Sequence, residues 1–214
     1  MDKLYKGIHK FRESYFRQER DFFSQLSRNQ SPDVLFITCS DSRVDPNLIT
    51  QSKPGNIFIV RNVGNIVPPY DSIKDKSSVG AALEFALLEL KVADIIVCGH
   101  SNCGAMGALM REEGYFLNMP NLKDWLRLSS PAMDIVKDCH PACSGEDVQK
   151  IIEHENILIQ LENIQTYPFI FDALKEGSVA LHGWYYEIGT GEVWSYNTIT
   201  EQFDIITRPE EKHG

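Results

Sequence analysis

Three short apolar runs, spaced along the chain with helical patterns between and after them, constrain this sequence more than anything else in it. Asp33 to Thr38 reads Asp-Val-Leu-Phe-Ile-Thr after Pro32, and Asn56 to Val60 and Asp94 to Cys98 repeat the type. The runs are continuous rather than alternating, which is the pattern of strands buried on both faces of a parallel sheet. Between and after them come helical patterns over 77–90, 103–111, 120–137 and 146–164. In the first of these, Val79, Leu83, Ala86, Leu87 and Leu90 share one face. Val179 to Ile188 reads as a late strand, with short ones over 192–196 and 203–206. The expected fold is therefore α/β: a mostly parallel central β-sheet flanked by helices. Residues 1–28 read as a broken helix, with Leu4, Ile8, Phe11 and Tyr15 on one stripe and Phe22, Phe23 and Leu26 on another. Such an N-terminal helical arm packs either on its own domain or on a partner subunit.

The 214 residues suffice for one domain with a sizeable core. The expected division is an arm over 1–28, an α/β domain over 29–207 and a flexible tail over 208–214. A formal net charge of −9 has the wrong sign for a general nucleic-acid or anionic-membrane partner. No apolar run approaches the roughly 18 to 20 residues that cross a bilayer. The charged N-terminus lacks the apolar stretch of a secretory signal, so a cytoplasmic location is expected.

Five cysteines, Cys39, Cys98, Cys103, Cys139 and Cys143, make an odd count in a chain read as unexported. That argues for metal rather than a disulfide framework. Two segments then stand out. Cys39-Ser-Asp-Ser-Arg43 and His100-Ser-Asn-Cys-Gly104 each come at the end of an apolar run. In open α/β sheets, ligands bind beyond the carboxyl ends of the strands, so both segments face one place if their strands are neighbours. Two thiols, an imidazole and a carboxylate would converge there, a donor set that suits tetrahedral zinc. His100 and Cys103 are close enough to chelate one ion, and Cys103 would open a helix, where the dipole favours a thiolate. Gly99 and Gly104 are expected to let the backbone bend around the metal. Taken singly, each of these residues is also compatible with an inert core position; their coincidence at two strand ends favours the metal.

Four protein ligands make a structural site, whereas a hydrolytic zinc needs an open position. Asp41 and Arg43 lie two apart on one loop. An Asp41–Arg43 pair would withdraw Asp41 from the metal, admit water, and leave a carboxylate to accept a hydrogen bond from zinc-bound hydroxide. The same spacing also describes a surface ion pair worth at most about 1 kcal/mol.

With these residues in view, the chain resembles the β-class carbonic anhydrases from about residue 4 to about residue 206. The two segments carry the resemblance. Arg61-Asn-Val-Gly-Asn65, the Val79 to Leu90 helix and Leu181-His-Gly-Trp184 support it. The resemblance implies one zinc ion per chain, held by Cys39, His100 and Cys103, in a catalytic domain that hydrates carbon dioxide reversibly to bicarbonate. It makes Asp41 and Arg43 the catalytic dyad, with Asp41 an exchangeable fourth ligand in a closed state. It implies substrate contacts from Gln30, reaching across from a partner subunit, and from Phe58, Val63, Phe85 and Gly104. Phe85 stands where many relatives have tyrosine, which removes a hydroxyl. Phe58 and Phe85 are equally readable as plain core. Phe36 replaces the tryptophan of a bicarbonate-regulated subfamily, although Arg61 and Tyr186 match the rest of that anion pocket; the permanently open type is expected. A domain-swapped homodimer, or a homotetramer of two such dimers, is also implied.

Zinc lowers the pKa of bound water toward roughly 7 to 8, so activity is expected to rise with pH through neutral and mildly alkaline values. Hydrolysis of carbonyl sulfide or carbon disulfide is a variant on the same fold, and a non-catalytic zinc scaffold is the alternative from another class. The remaining residues with metal or acid–base chemistry are read as bystanders. Cys139-His-Pro-Ala-Cys143 is a metal-like cluster with no partner segment. Cys98 is core, His182 structural, and His9 exposed and remote; no residue is marked as a dedicated proton shuttle.

Overall fold

The computed structural model describes residues 1–72, 77–139 and 145–207. The apolar runs become the centre of one sheet: β1 (Val34–Cys39), β2 (Ile57–Asn62), β3 (Asp94–His100), β4 (Ala180–Tyr186), β5 (Val193–Asn197) and β6 (Gln202–Ile205). Among the described residues the order is β2-β1-β3-β4-β5-β6. The first four strands are mutually parallel, and β5 and β6 add antiparallel at one side. The expected α/β architecture is the one observed. The strand order also answers the question the spacing left open, since β1 and β3 are direct neighbours with Thr38 opposite Cys98. Cys39 and His100 are the last residues of those two strands rather than the first of the loops after them.

Burial follows position in the sheet. In β1 and β3 every residue after the first is buried, while β2 is half-buried because it is an edge strand, a correction to its reading as a second fully buried strand. The helices are α1 (Asp2–Lys10), α2 (Phe16–Gln18), α3 (Arg20–Leu26), α4 (Pro46–Thr50), α5 (Ser78–Glu84), α6 (Gly104–Leu109), α7 (Pro120–Leu126), α8 (Pro131–Cys139), α9 (Glu146–Gln165) and α10 (Pro168–Glu176). Ser77 caps α5 by accepting from the Val79 and Gly80 amides. Val79, Leu83, Ala86 and Leu87 are buried as expected, while Leu90, expected on the same buried face, is only partly buried. The helix expected over 120–137 is broken instead, because Pro131 has no amide to continue a helix and so begins α8 afresh. Two helices escaped the sequence reading. α4 is only one turn long, started by the Asp45 cap and Pro46; α10 starts at Pro168 and ends at Gly177, left-handed at φ 67°.

The arm has a different character. α1, a π-helical turn over Phe11–Tyr15, α2 and α3 contain no buried residue, and the expected break falls at Glu19, with φ −104° and ψ 28°. Its rings gather on each other, with Phe16 and Phe23 centroids 5.1 Å apart and Phe11 and Phe23 5.7 Å apart. The tail from Arg208 and the His140–Cys143 part of the cysteine cluster lie outside the described residues. Among the described residues no helix is long and apolar enough to cross a membrane.

Candidate metal centre

Cys39, His100 and Cys103 come together at the carboxyl ends of β1 and β3, all buried, with one ligand atom from each inside a span of 4.8 Å. The two sulfurs are 4.0 Å apart. Two sulfurs bound at about 2.3 Å in tetrahedral geometry stand roughly 3.8 Å apart, so the observed spacing fits one shared ion. His100 gives the more specific sign. Its Nδ1 lies 3.0 Å from the Ser101 carbonyl oxygen, which can only accept, so Nδ1 carries a proton and, in the neutral ring, Nε2 holds the lone pair. That Nε2 is buried and without a hydrogen-bond partner among the described residues. A buried imidazole with a free lone pair beside two thiols is costly unless something electrophilic sits there. The donor set therefore fits a metal ion.

The thiols behave as a pair. The Cys103 hydrogen bond pulls the Cys39 thiol down to about 4, with further help from the Gly64 amide, whose nitrogen is 3.4 Å from the sulfur. The same contact, together with burial, pushes Cys103 up. The two sulfurs therefore titrate as a pair, a proton on one easing its loss from the other.

Asp41 and Arg43 form a bidentate pair beside this cluster. Arg43 Nε donates to Asp41 Oδ1 at 2.9 Å and Nη2 to Oδ2 at 2.7 Å, while the Arg43 amide also reaches Oδ1 at 2.9 Å. The guanidinium holds the Asp41 carboxyl far below the usual carboxylate range. Arg43 Nη2 also donates to the Asn102 carbonyl at 3.0 Å, tying the β1 loop to the β3 loop. Asn102 reaches that position through a left-handed backbone, φ 54°. Asp41 Oδ2 stands 3.8 Å from His100 Nε2, close but too far for a hydrogen bond. Arg61 braces the same loop by donating to the Cys39 and Asp41 carbonyls at 3.1 and 2.7 Å.

The glycines do not do what their spacing suggested. Neither Gly99 nor Gly104 has a left-handed backbone. A Cβ on Gly99 would come within 2.8 Å of Ile157, so this glycine lets α9 approach β3; a Cβ on Gly104 would meet nothing within 4 Å. The left-handed glycine is Gly64, φ 82°, where a Cβ would lie 2.9 Å from Met106 Cε and 3.2 Å from Ala105 Cβ. Its amide is the one that faces Cys39, so any side chain here would push that donor off the sulfur.

A second layer, on α9, was not singled out from the sequence. Glu153 is buried and accepts from the Cys103 amide at 2.8 Å, from Gln149 Nε2 at 3.0 Å and from the Tyr185 hydroxyl at 2.9 Å. Further along, Asn156 Nδ2 donates to the Gly64 carbonyl, and Gln160 Oε1 accepts from the Val67 amide. These side chains clamp both the start of α6 and the loop after β2. Their signal was present as polar residues at 149, 153, 156, 160 and 163, a helical stripe among isoleucines.

The remaining expected site residues are more scattered. Val63 and Gly104 adjoin Gly64 and Cys103 in sequence and are exposed, and the Val63 carbonyl accepts from Trp125 Nε1 at 2.7 Å. Phe58 and Phe85 pack on each other at 5.8 Å, between β2 and the helix after Ser77, with Phe85 exposed. Gln30 is exposed on the segment leading into β1. Phe36 is buried against Trp184. Cys98 is fully buried in the core, His9 is exposed, and His182 pairs with Asp94 at 2.7 Å.

This sequence and fold have close counterparts among known proteins, and those define the class. The family model described as Carbonic anhydrase matches residues 34–193. A carbonic anhydrase of Synechocystis sp. is 48% identical over 95% of this chain and 73% of its own length, and carbonic anhydrase 1 of Escherichia coli O157:H7 is 41% identical over 95% and 91%. The solved β-carbonic anhydrase CcaA superposes with a TM-score of 0.93 at 47% identity, covering 97% of this chain and 92% of that one. A tetrameric β-carbonic anhydrase of Sordaria macrospora follows at a TM-score of 0.81 and 26% identity, covering 91% and 95%. The chain belongs to the carbonic anhydrase family, in its β class, and is an enzyme of that activity.

Proposed function

We propose that this enzyme interconverts carbon dioxide and bicarbonate with one zinc ion per chain, held by Cys39, His100 and Cys103, and that Asp41 and Arg43 are its catalytic dyad. The observation that carries the metal assignment is the buried His100 Nε2, without a hydrogen-bond partner among the described residues and beside Cys39, Cys103 and Asp41. When bound there, zinc supplies a Lewis acid that makes water a usable nucleophile near neutral pH.

The chain's own part is positional. Both Asp41 oxygens are engaged by Arg43, so the carboxylate stays ionised and acceptor-only, turned beside His100 rather than free to swing. It can then take a hydrogen bond from the attacking water and set the direction of its lone pair. This engagement also supports the open type of site, in which Asp41 is not a metal ligand. Val63, Gly104, Phe58 and Phe85 are retained as the apolar approach for carbon dioxide, and Gln30 as a contact reaching a partner's site.

The division into arm (1–28), zinc-binding catalytic domain (29–207) and tail (208–214) belongs to the same reading. Leu4, Tyr5, Ile8, Phe11, Tyr15 and Phe16 are all exposed in the single chain, an apolar surface that a partner subunit would cover. A homodimer, or a tetramer like that of the Sordaria relatives, follows. Metal analysis of the purified protein, paired with stopped-flow hydration of carbon dioxide and sedimentation, tests the whole. Zinc near one per chain and an oligomer support it; active protein without stoichiometric zinc rejects it.

A further inference from the structure

The loop after β2 reaches the metal centre through the Gly64 amide, which faces the Cys39 sulfur at 3.4 Å. That amide is aimed from the far side of its own peptide. The Val63–Gly64 unit is planar and trans, so its carbonyl oxygen and its N–H point in opposite directions. Trp125, on α7, donates from Nε1 to the Val63 oxygen at 2.7 Å. An indole N–H can only donate, so this bond runs one way. The Trp125 ring packs against both of the larger apolar clusters, which holds the donor in place. A continuous line therefore runs from the indole, through one peptide, to the sulfur. The next peptide is held as well. Asn156 Nδ2 donates to the Gly64 carbonyl at 3.0 Å, and the roles in that amide are fixed from the backbone outward. The Val67 N–H donates to Gln160 Oε1, so Gln160 Nε2 is the donor to Asn156 Oδ1, which also accepts from the Ser129 hydroxyl. With both flanking peptides clamped and a Cβ excluded at Gly64, the amide has little freedom to turn away from Cys39.

We propose that Trp125 is a positioning residue for Cys39: its indole N–H holds the Val63–Gly64 peptide with the Gly64 N–H on the sulfur, and so sets how strongly that sulfur gives charge to the metal. Two effects act together. Fixing the carbonyl end of a rigid peptide fixes the direction of its N–H. A donor at the carbonyl also polarises the peptide, which makes the N–H at the other end a stronger donor. A hydrogen bond to a ligand sulfur draws electron density from it, and the groups behind a ligand tune the metal in this way. The inference rests on the reading of Cys39 as a zinc ligand. Trp125 acts through the peptide and not on the reacting atoms.

Cobalt in place of zinc gives the readout. Thiolate-to-cobalt charge transfer absorbs in the near ultraviolet and moves to longer wavelength as the sulfur gives more charge. In the cobalt-loaded enzyme, Trp125→Phe is expected to move that band to longer wavelength. In the zinc-loaded enzyme it is expected to speed metal loss to a chelator about two- to tenfold, the worth of one net hydrogen bond. Phenylalanine also trims packing, so Trp125→benzothienylalanine is the sharper variant, with the same bicyclic shape and a sulfur where the indole carries its N–H. It is expected to give the same band shift with the unfolding midpoint kept, a combination that loss of packing would not produce. A band unmoved in the benzothienylalanine variant overturns the proposal, whatever the phenylalanine variant does. A wild-type enzyme that takes up cobalt without a thiolate band overturns the ligand assignment beneath it, and is thereby told apart from failure of the indole's role.

Discussion

The two loops that meet at the metal centre are held in opposite ways. The loop after β3 is clamped from within the protein: His100 is fully buried, its Nδ1 is fixed by Ser101, and the Cys103 amide is taken by a buried carboxylate on α9. The loop after β1 is held from the solvent side. Arg43, 48% exposed, grips Asp41 and reaches across to Asn102. One loop therefore sets where an ion can sit, and the other places a charged group beside it whose partner can be changed without dismantling the core. The proposed zinc site, which would hold its ion and keep one position open, would draw on both kinds of support.

The sharpest way to break this contrast is to remove an anchor. His100→Ala or Cys103→Ser should lose stoichiometric zinc and carbon dioxide hydration together, by metal analysis and stopped-flow assay; full metal in either variant would show that the β3 loop is not the anchor. Next in size, Asp41→Ala should keep its zinc while kcat falls by about a hundredfold or more, the scale of one transition-state hydrogen bond. Loss of metal in that variant would put Asp41 among the permanent ligands and erase the distinction between the loops.

The clamp behind the β3 loop can be probed more gently. Glu153→Ala strips the partners from the Cys103 amide and the Tyr185 hydroxyl, both buried, and should cost about 1–3 kcal/mol in urea unfolding. It should also weaken zinc retention against a chelator by roughly tenfold, as loss of an orienting second layer does. Unchanged retention would mean that the layer serves folding alone.

The smallest effect concerns Arg43. Its hydrogen bonds depress the Asp41 pKa, so the pair stabilises the fold above the unfolded-state value of about 3.9 and that contribution fades as pH falls below it. Because Arg43 is open to solvent, the contribution is at most about 1 kcal/mol. The stability gap between wild type and Arg43→Met should therefore be visible at pH 7 and narrower at pH 3. A gap of the same width at both would leave the pair without an electrostatic role.

Much of this was legible in the residue order. Strands buried on both faces must be apolar throughout, so β1 and β3 declared themselves, and helical spacing marked the buried stripe after Ser77. The segments at Cys39 and His100 were legible because thiols, imidazole and carboxylate at strand ends have few inert explanations when they occur together. What was missed had weak local signals. α4 is one turn, α10 is short, and the break before α8 rests on one proline whose effect depends on what packs around it. The roles of Gly99 and Gly104 were misjudged because a glycine that admits a neighbouring helix looks the same in sequence as one that bends a chain.

By itself, then, the sequence determined the apolar pattern that builds the sheet and the identity of the groups at its carboxyl end, because strand period and ligand chemistry are properties of short segments. Only the tertiary structure decided that β1 and β3 lie side by side, that Asn102 and Gly64 rather than Gly99 and Gly104 take the left-handed turns, and that Glu153 stands behind Cys103. Those are contacts between residues distant in the chain, and no local pattern encodes which of them will meet.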